Sequence, residues 1–593
     1  MPTSPKACLR SLREILLKEN LQGFILPHGD EFQNEFLPPE SRRLSYATGF
    51  DGSAGLAIVL PHCAALFVDG RYTVAAKEHV DPTLFSTLTW SSHTIETFLR
   101  QNCHKQDVLG FFSETMTHQD FELYTQITQP LHLTLRPLFT NPIDTIWKSR
   151  PVSFPKEGFL HNEKYTGEAH TSKRKRIAEL LKKEGVEALY SGSSENINWL
   201  LNIRGHDLSY TPLLCATALL YQNGEIDVFT DLRKIPSSFA SHFGPGVRFH
   251  ETASFSSILS QLKHPFKLWI DPSHTSFGTH HLLEEMKCIV TQKEDPIFWA
   301  KALKNTTEIQ GMMTCHKRDG CALVRFLSWL EDHVPSASLT ELKAQEKIIA
   351  LRQELDLYFS ESFTPISAVN EHAAIVHYHA QSETNTPLQK GNLYLLDSGG
   401  QFFDGTTDVT RTVLLGKDAT AKKEIKEMFT RVLKGHIALA QTHFPKGTAG
   451  FQLDVLARQF LWEEGRDYPH GTGHGVGSFL AVHEKPQRIS KLGNSPLELG
   501  MVLSNEPGYY HENAFGIRIE NLMLVIPSPE NPSFYTFKTL TLAPIDQNLI
   551  LPDLLNNSEK EWLNTYHKRV WKEISPHLDM KEKEWLQKAT RPL

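Results

Sequence analysis

Four acidic residues stand where a carboxylate is costly to place. Asp397 ends the apolar run NLYLLD and Asp408 opens DVTRTVLL; farther on, Glu506 lies in LSNEPGYY and Glu520 in FGIRIENLMLVI. Such runs read as buried strands, and a charged carboxylate is rarely buried without a partner. Each pair is arranged about a reversal of the chain. Gly399, Gly400, Asp404 and Gly405 separate the first two acids, and Asn513, within HENAFG, is midway between the second two. If each pair of runs forms a hairpin, Asp397 faces Asp408 and Glu506 faces Glu520, with opposed Cβ atoms about 5 Å apart. Four converging carboxylates repel and raise one another's pKa. Two divalent cations about 3.5–4 Å apart, bridged by shared carboxylates, would relieve that repulsion. A mostly oxygen-donor shell suits Mn2+. A single such acid is more often a salt-bridged strand-edge residue; two symmetric pairs favour cations.

A nitrogen ligand is at hand in YPHGTGHGVGSFLAVHEKP. His470 and His474 are spaced as in helical zinc sites, but Gly471 and Gly473 argue against a helix and for a tight loop whose backbone approaches a neighbour closely. His483 follows on a short run. Upstream, AAIVHYHA places His377 on a further apolar strand, where a lone histidine is more often a packed core residue than a ligand.

Positioning these groups requires several domains, since 593 residues exceed what one core holds. LREILLKENLQGFIL with ALFVDGRYTVAA, and RIAELLKKEGVEALY with DVFTDLRKI, repeat one order: amphipathic helix, apolar strand, excursion, then a strand ending at an acid and an arginine. This predicts a duplicated α/β unit. The strand-end groups Asp69, Arg71, Asp231 and Arg233 read as structural. NPIDTIWKSRPVSFPKEG is the first linker, and a second boundary falls near QKEDPIFWAKALKN. Helices are expected over the runs beginning NTTEIQG, SLTELK, AKKEIKE and LDVLARQ, and a charged helical tail after residue 550.

Composition excludes other classes. A net charge of −7, with 22% charged residues, suggests neither nucleic-acid nor membrane partners and argues against a strongly acidic substrate. No 18-residue apolar stretch is present, and the N-terminal run lacks the apolar core of a secretory signal. The seven cysteines are scattered without a C-x-x-C pair, so no disulfide framework or zinc ribbon is expected. The expected compartment is cytoplasmic.

DSGGQFFDGTTDVTRT, DYPHGTGHGVGSFLAVHE, SNEPGYY and FGIRIEN, in this order and spacing, resemble the pita-bread-fold metallopeptidases, in the long three-domain aminopeptidase P family. RRLSYATGFDGSAG, LFVDGRYT, WLLNIRG and EIQGMMTCHKRDGCALVRFLSWL extend the likeness over nearly the whole chain. The resemblance implies two related creatinase-like α/β domains (1–152 and 153–300), a pita-bread catalytic domain (301–550) and a C-terminal helical extension (551–593). It implies the metal ligands Asp397, Asp408, His474, Glu506 and Glu520, with Asp408 and Glu520 bridging two divalent ions: Mn2+, or alternatively Co2+ or Zn2+. His377, His470 and His483 would contact substrate or the tetrahedral intermediate, with Arg518 supporting the site and Tyr510 beside it. The implied reaction is cleavage between an N-terminal residue and a following proline by a metal-bridging hydroxide, with Glu506 shuttling the proton, in a homodimer. Alternatives are a prolidase confined to dipeptides, a metal-free creatinase-like enzyme and a non-catalytic peptide-binding module. Three positions depart from the family pattern: Asn370 and Glu371 replace a Gly-Pro, and Lys485 replaces a glycine. Asn370 tolerates positive φ, so its turn is expected to persist; Lys485 adds bulk and charge near the cleft mouth.

Overall fold

The computed structural model describes residues 4–334, 338–416 and 419–593. Contacts divide the chain into two compact units: Met1–His161 with Glu168–Phe298, and Asn162–Gly167 with Trp299–Leu593.

The first unit contains the duplication. Helix Pro5–Lys18 starts at the Ser4 cap and buries Cys8, Leu9, Leu12 and Leu16 along one face. Strand Gly23–Pro27 follows, as Ala188–Ser191 follows helix His170–Glu184 in the second lobe. Each lobe has a six-stranded sheet. One runs Ser86–Thr89, Ala64–Val68, Leu56–Val59, Gly23–Pro27, Val108–Phe112, Thr134–Leu138; the other Val247–Glu251, Ile226–Thr230, Thr217–Tyr221, Ala188–Ser191, Lys267–Ile270, Ile289–Gln292. The sense of every strand pairing, parallel or antiparallel, is the same in both. Equivalent segments join the lobes: the His118 and Phe277 amides donate to the Thr275 and Met116 carbonyls, so the two lobes form one compact unit. At the strand ends, Arg71 Nη2 donates to Asp69 Oδ2 and Arg233 Nη2 to Asp231 Oδ2, each at 2.7 Å.

In the second unit, helix Thr306–His333 is capped by Asn305 and Glu308 in a reciprocal box. Strands Ile366–Val369, Leu393–Ser398 and Val409–Leu414 form an antiparallel sheet, and Phe515–Arg518 pairs with Gly508–His511. A six-stranded sheet runs His443–Pro445, Phe534–Thr539, Asn521–Pro527, Val502–Asn505, Gly473–Gly475, Glu484–Ile489. Helix Lys423–Ala440 buries Phe429, Val432 and Leu433 in a core shared with Ile517, Ile519 and Leu542. The C-terminal helices Asn557–Ile574 and Met580–Ala589 add Leu563, Tyr566, Val570, Ile574 and Leu586 to the same core.

Candidate metal centre

The two acid pairs arrive by different routes. Strand Asn521–Pro527 pairs Asn521 with Asn505, and strand Phe515–Arg518 pairs Arg518 with Gly508. Both registers are symmetric about residue 513, so Glu506 and Glu520 occupy corresponding positions, as the hairpin predicts. The first pair departs from expectation. Asp397 is opposite Thr410 rather than Asp408, because the reversal is centred between Phe403 and Asp404, where the small hairpin Gly400–Phe402 with Gly405–Thr406 continues the same register. Asp408 therefore precedes its strand and enters from that hairpin's end.

His377 is also displaced from its expected place. It lies in a turn after the 3-10 helix Asn370–Ala374, not on a strand. Asn370 adopts φ 49° and its Oδ1 accepts from the Leu393 amide at 2.9 Å, so the turn persists without glycine. Lys485 is exposed at the start of strand Glu484–Ile489.

His474 lies on the strand Gly473–Gly475. A Cβ at Gly473 would come within 2.0 Å of the Ser504 carbonyl oxygen; this close approach is what the glycine permits. His474 Nδ1–H donates to the Gly475 carbonyl at 2.9 Å, which fixes the tautomer. The Nε2 lone pair is then 3.3 Å from Glu506 Oε1 and 3.5 Å from Asp408 Oδ2. Asp408, His474 and Glu520 each present a ligand atom, all within 4.8 Å of one another; among the described residues no other trio does so.

The remaining polar partners hold these groups in place. Thr410 Oγ1 donates to Glu520 Oε2 at 2.8 Å, and Ser504 Oγ to Glu506 Oε1 at 3.0 Å. Arg518, 2% exposed, donates through Nη2 to Asp397 Oδ2 at 2.6 Å and through Nη1 to Tyr510 Oη at 2.8 Å. Tyr510 in turn meets His470 Nε2 at 2.8 Å, while His470 Nδ1 donates to the Gly471 carbonyl. The His483 ring stands nearly perpendicular to that of His474, with centroids 4.4 Å apart.

The electrostatics call for positive charge. Burial, then repulsion from Glu520, Asp397 and Glu506, pushes Asp408 well above the carboxylate range. Glu520 is raised in the same way, by burial and by Asp397 and Glu506. Glu506 rises to about 7, chiefly through burial, although Arg518 opposes the shift. Asp397 Oδ1 is buried and accepts no hydrogen bond among the described residues. An orphaned carboxylate oxygen, a lone pair directed at two acids and crowded anions are features that divalent cations satisfy together. The donor set therefore fits such ions.

Two buried residues that the motifs did not single out brace the centre from behind. Arg411, beside Thr410, donates to the carbonyls of Glu520 (2.6 Å) and Ala543 (2.8 Å), to Asn521 Oδ1 (2.8 Å) and to Tyr566 Oη (2.9 Å). His436 Nδ1–H donates to the Asn505 carbonyl at 3.1 Å, and its Nε2 accepts from Asn521 Nδ2 at 3.0 Å. It thereby joins the residue before Glu506 to the residue after Glu520. Neither signal is local in sequence: Arg411 would have to be recognised from strand alternation, and His436 from its place on the apolar face of a helix.

Comparison with known proteins agrees with this geometry. Residues 310–527 match metallopeptidase family M24 and 533–593 the C-terminal region of that peptidase, while 9–133 and 149–308 match creatinase/prolidase N-terminal domains. The "Probable Xaa-Pro aminopeptidase P" of Laccaria bicolor is 37% identical over 99% of this chain and 93% of its own. The chain belongs to metallopeptidase family M24. Within that class, the X-prolyl aminopeptidase of Caenorhabditis elegans, described as a cytosolic enzyme with a di-nuclear active site, superposes with a TM-score of 0.95. It is 33% identical and both chains are covered completely. An Xaa-Pro dipeptidase from Bacillus anthracis shares the fold alone, at 20% identity and a TM-score of 0.52, over 64% of this chain and 99% of its own. Among the described residues no helix is long and apolar enough to cross a membrane.

Proposed function

We propose that this chain is a metal-dependent aminopeptidase that removes the N-terminal residue of peptides whose second residue is proline. The observation that carries the reading is the cluster of Asp408, His474 and Glu520 ligand atoms, with Glu506 against His474 and Asp397 tied to Arg518. Asp397, Asp408, His474, Glu506 and Glu520 would hold two divalent ions, and their mostly oxygen-donor shell suits Mn2+. When bound, such ions supply Lewis-acid activation of water and of the scissile carbonyl.

The protein's own groups do the rest. Glu506 accepts the proton of the attacking water on its carboxylate and returns it to the departing prolyl nitrogen. His377 and His483 donate to the oxygen that gains negative charge as the carbonyl becomes tetrahedral. Arg518 holds Asp397 by its 2.6 Å hydrogen bond and orients Tyr510, which holds the His470 ring against the substrate. A prolyl nitrogen carries no hydrogen and its ring restricts the backbone, so a dedicated cleft suits this bond. The peptide's α-ammonium group is drawn to the acid-rich centre.

Two further features belong to the same reading. The enzyme is a homodimer, supported by the exposed apolar stripe Phe451, Val455 and Trp462 on helix Gly450–Trp462. It works in the cytoplasm, in keeping with seven free cysteines and the description of the nematode relative. The test is turnover of Xaa-Pro-Yaa-Zaa against Xaa-Pro, with metal analysis, before and after chelation. Loss of cleavage on chelation and preference for the longer peptide are expected. Cleavage by metal-free protein would refute the reading, and activity confined to the dipeptide would make the enzyme a prolidase.

A further inference from the structure

The loop that carries His377 has almost no secondary structure of its own. Between strands Ile366–Val369 and Leu393–Ser398 the chain makes one short 3-10 helix and then runs irregularly through residues 375–386. A catalytic donor on such a segment needs something to fix it, because a misplacement of about 1 Å can cost on the order of 10²-fold in rate.

One carboxylate gathers this loop. Glu341, the first residue of helix Glu341–Gln353, is fully buried. Its Oε1 accepts from the Val369 amide at 2.8 Å, where the loop begins. Its Oε2 accepts from the Thr386 amide at 3.0 Å, where the loop ends. Between those points, His372 Nδ1 lies 2.9 and 3.1 Å from the two oxygens, and Tyr378 Oη donates to Oε2 at 3.1 Å. The rings of His372 and Tyr378 stack with centroids 4.4 Å apart. The backbone of Glu341 joins in: its amide donates to the Thr386 carbonyl at 3.1 Å, and its carbonyl accepts from Ser367 Oγ at 2.7 Å. The helix N-terminus favours a negative charge at this position. On its other side the loop lies flat on strand Phe515–Arg518, where a Cβ at Gly516 would come within 1.7 Å of the Ala373 carbonyl oxygen.

We infer that Glu341 is a positioning residue: its carboxylate ties both ends and the middle of the loop 370–385 and so sets the place of His377. Tyr378, which reaches the carboxylate, is the next residue after His377, so losing the clasp moves the histidine directly. Glu341 is not among the metal-centre acids, and no centre ligand lies on the loop. The clasp thus governs rate without governing metal content. The inference rests on the reading that His377 contacts substrate, and the experiment separates the two.

The test uses purified holoenzyme carrying Glu341→Gln, His377→Ala, or both. For each, kcat and KM on an Xaa-Pro-Yaa-Zaa peptide, bound metal per chain and amide hydrogen exchange over residues 369–386 are measured. Glu341→Gln is expected to lower kcat about tenfold to a hundredfold, to keep its metal, and to speed exchange in this segment. The double variant is expected to be no slower than His377→Ala alone. Losses that multiply in the double variant, or unchanged exchange in Glu341→Gln, overturn the clasp. Full kcat in His377→Ala instead overturns the role of the histidine, and with it the catalytic part of the inference. Should Glu341→Gln fail to fold, Tyr378→Phe removes one donor from the same carboxylate. It should lower kcat severalfold without adding to His377→Ala, and an unchanged kcat would count against the inference.

Discussion

Glu506 and Glu520 are the same residue type in the same site, yet substitution should separate them. Glu520 is 1% exposed, oriented by Thr410 and set within the tight trio of ligand atoms. Its replacement by Gln removes a charge from that trio. Metal analysis should find substoichiometric metal, with cleavage reduced about 10³-fold or more. Glu506→Gln retains a donor oxygen beside His474, so we expect metal to stay and kcat to fall about 10²- to 10⁴-fold. Near-normal turnover with metal bound would remove the proton-shuttle role. The identities of these acids were legible in the sequence because apolar flanks make a lone carboxylate conspicuous. The register of Asp397 was not, since residues 399–407 look like a turn and only three-dimensional pairing shows that the reversal is centred between Phe403 and Asp404.

At the level of elements, the glycines of the histidine loop and the buried rings behind it make distinct predictions. Gly473→Ala would force Cβ against the Ser504 carbonyl, on the strand that leads to Glu506. A loss of about 1–3 kcal/mol in a denaturant titration is expected. His436, His316 and His567 lie in the second unit with pKa values lowered, mainly by burial, to about 3, 4 and 3. Their unfolded values are near 6.5, so the unfolded chain binds protons first as pH falls. The stability these rings contribute is complete above about pH 6.5 and declines towards their folded values. The urea midpoint of the second unit should therefore drop between pH 7 and pH 5; a flat profile would mean that the rings are already solvated. Helical periodicity revealed the helix that bears His436, and the apolar neighbours of that residue concealed its polar task. Glu341 was hidden differently: an acid at the first turn of a helix is ordinary, and the partners of its carboxylate lie 28 to 45 residues away.

For the whole molecule, the division into two units predicts two responses to metal. Every proposed ligand lies in the second unit, so removing the ions should lower the melting transition of that unit alone. Calorimetry of chelated protein should show one transition moving down, by more at lower residual metal, and the other unchanged. A single transition shifting as a whole would mean that the units unfold together. The duplicated lobes were readable from the order of helix, strand and acid–arginine end, because each copy obeys the same local rules. Their joining into one unit was not, since it depends on Met116, His118, Thr275 and Phe277, whose residue types announce nothing.

The hydroxyl of Tyr566 ties the C-terminal helices to the strand that follows Asp408. Arg411 spends one of its bonds on that tyrosine, and the other groups it grips include Glu520 and Asn521. The tyrosine lies on helix Asn557–Ile574, so a helix more than a hundred residues beyond Arg411 in sequence closes the network behind the acids. The carboxyl-terminal extension is thereby a structural member of the acid-bearing scaffold rather than an appendage to it.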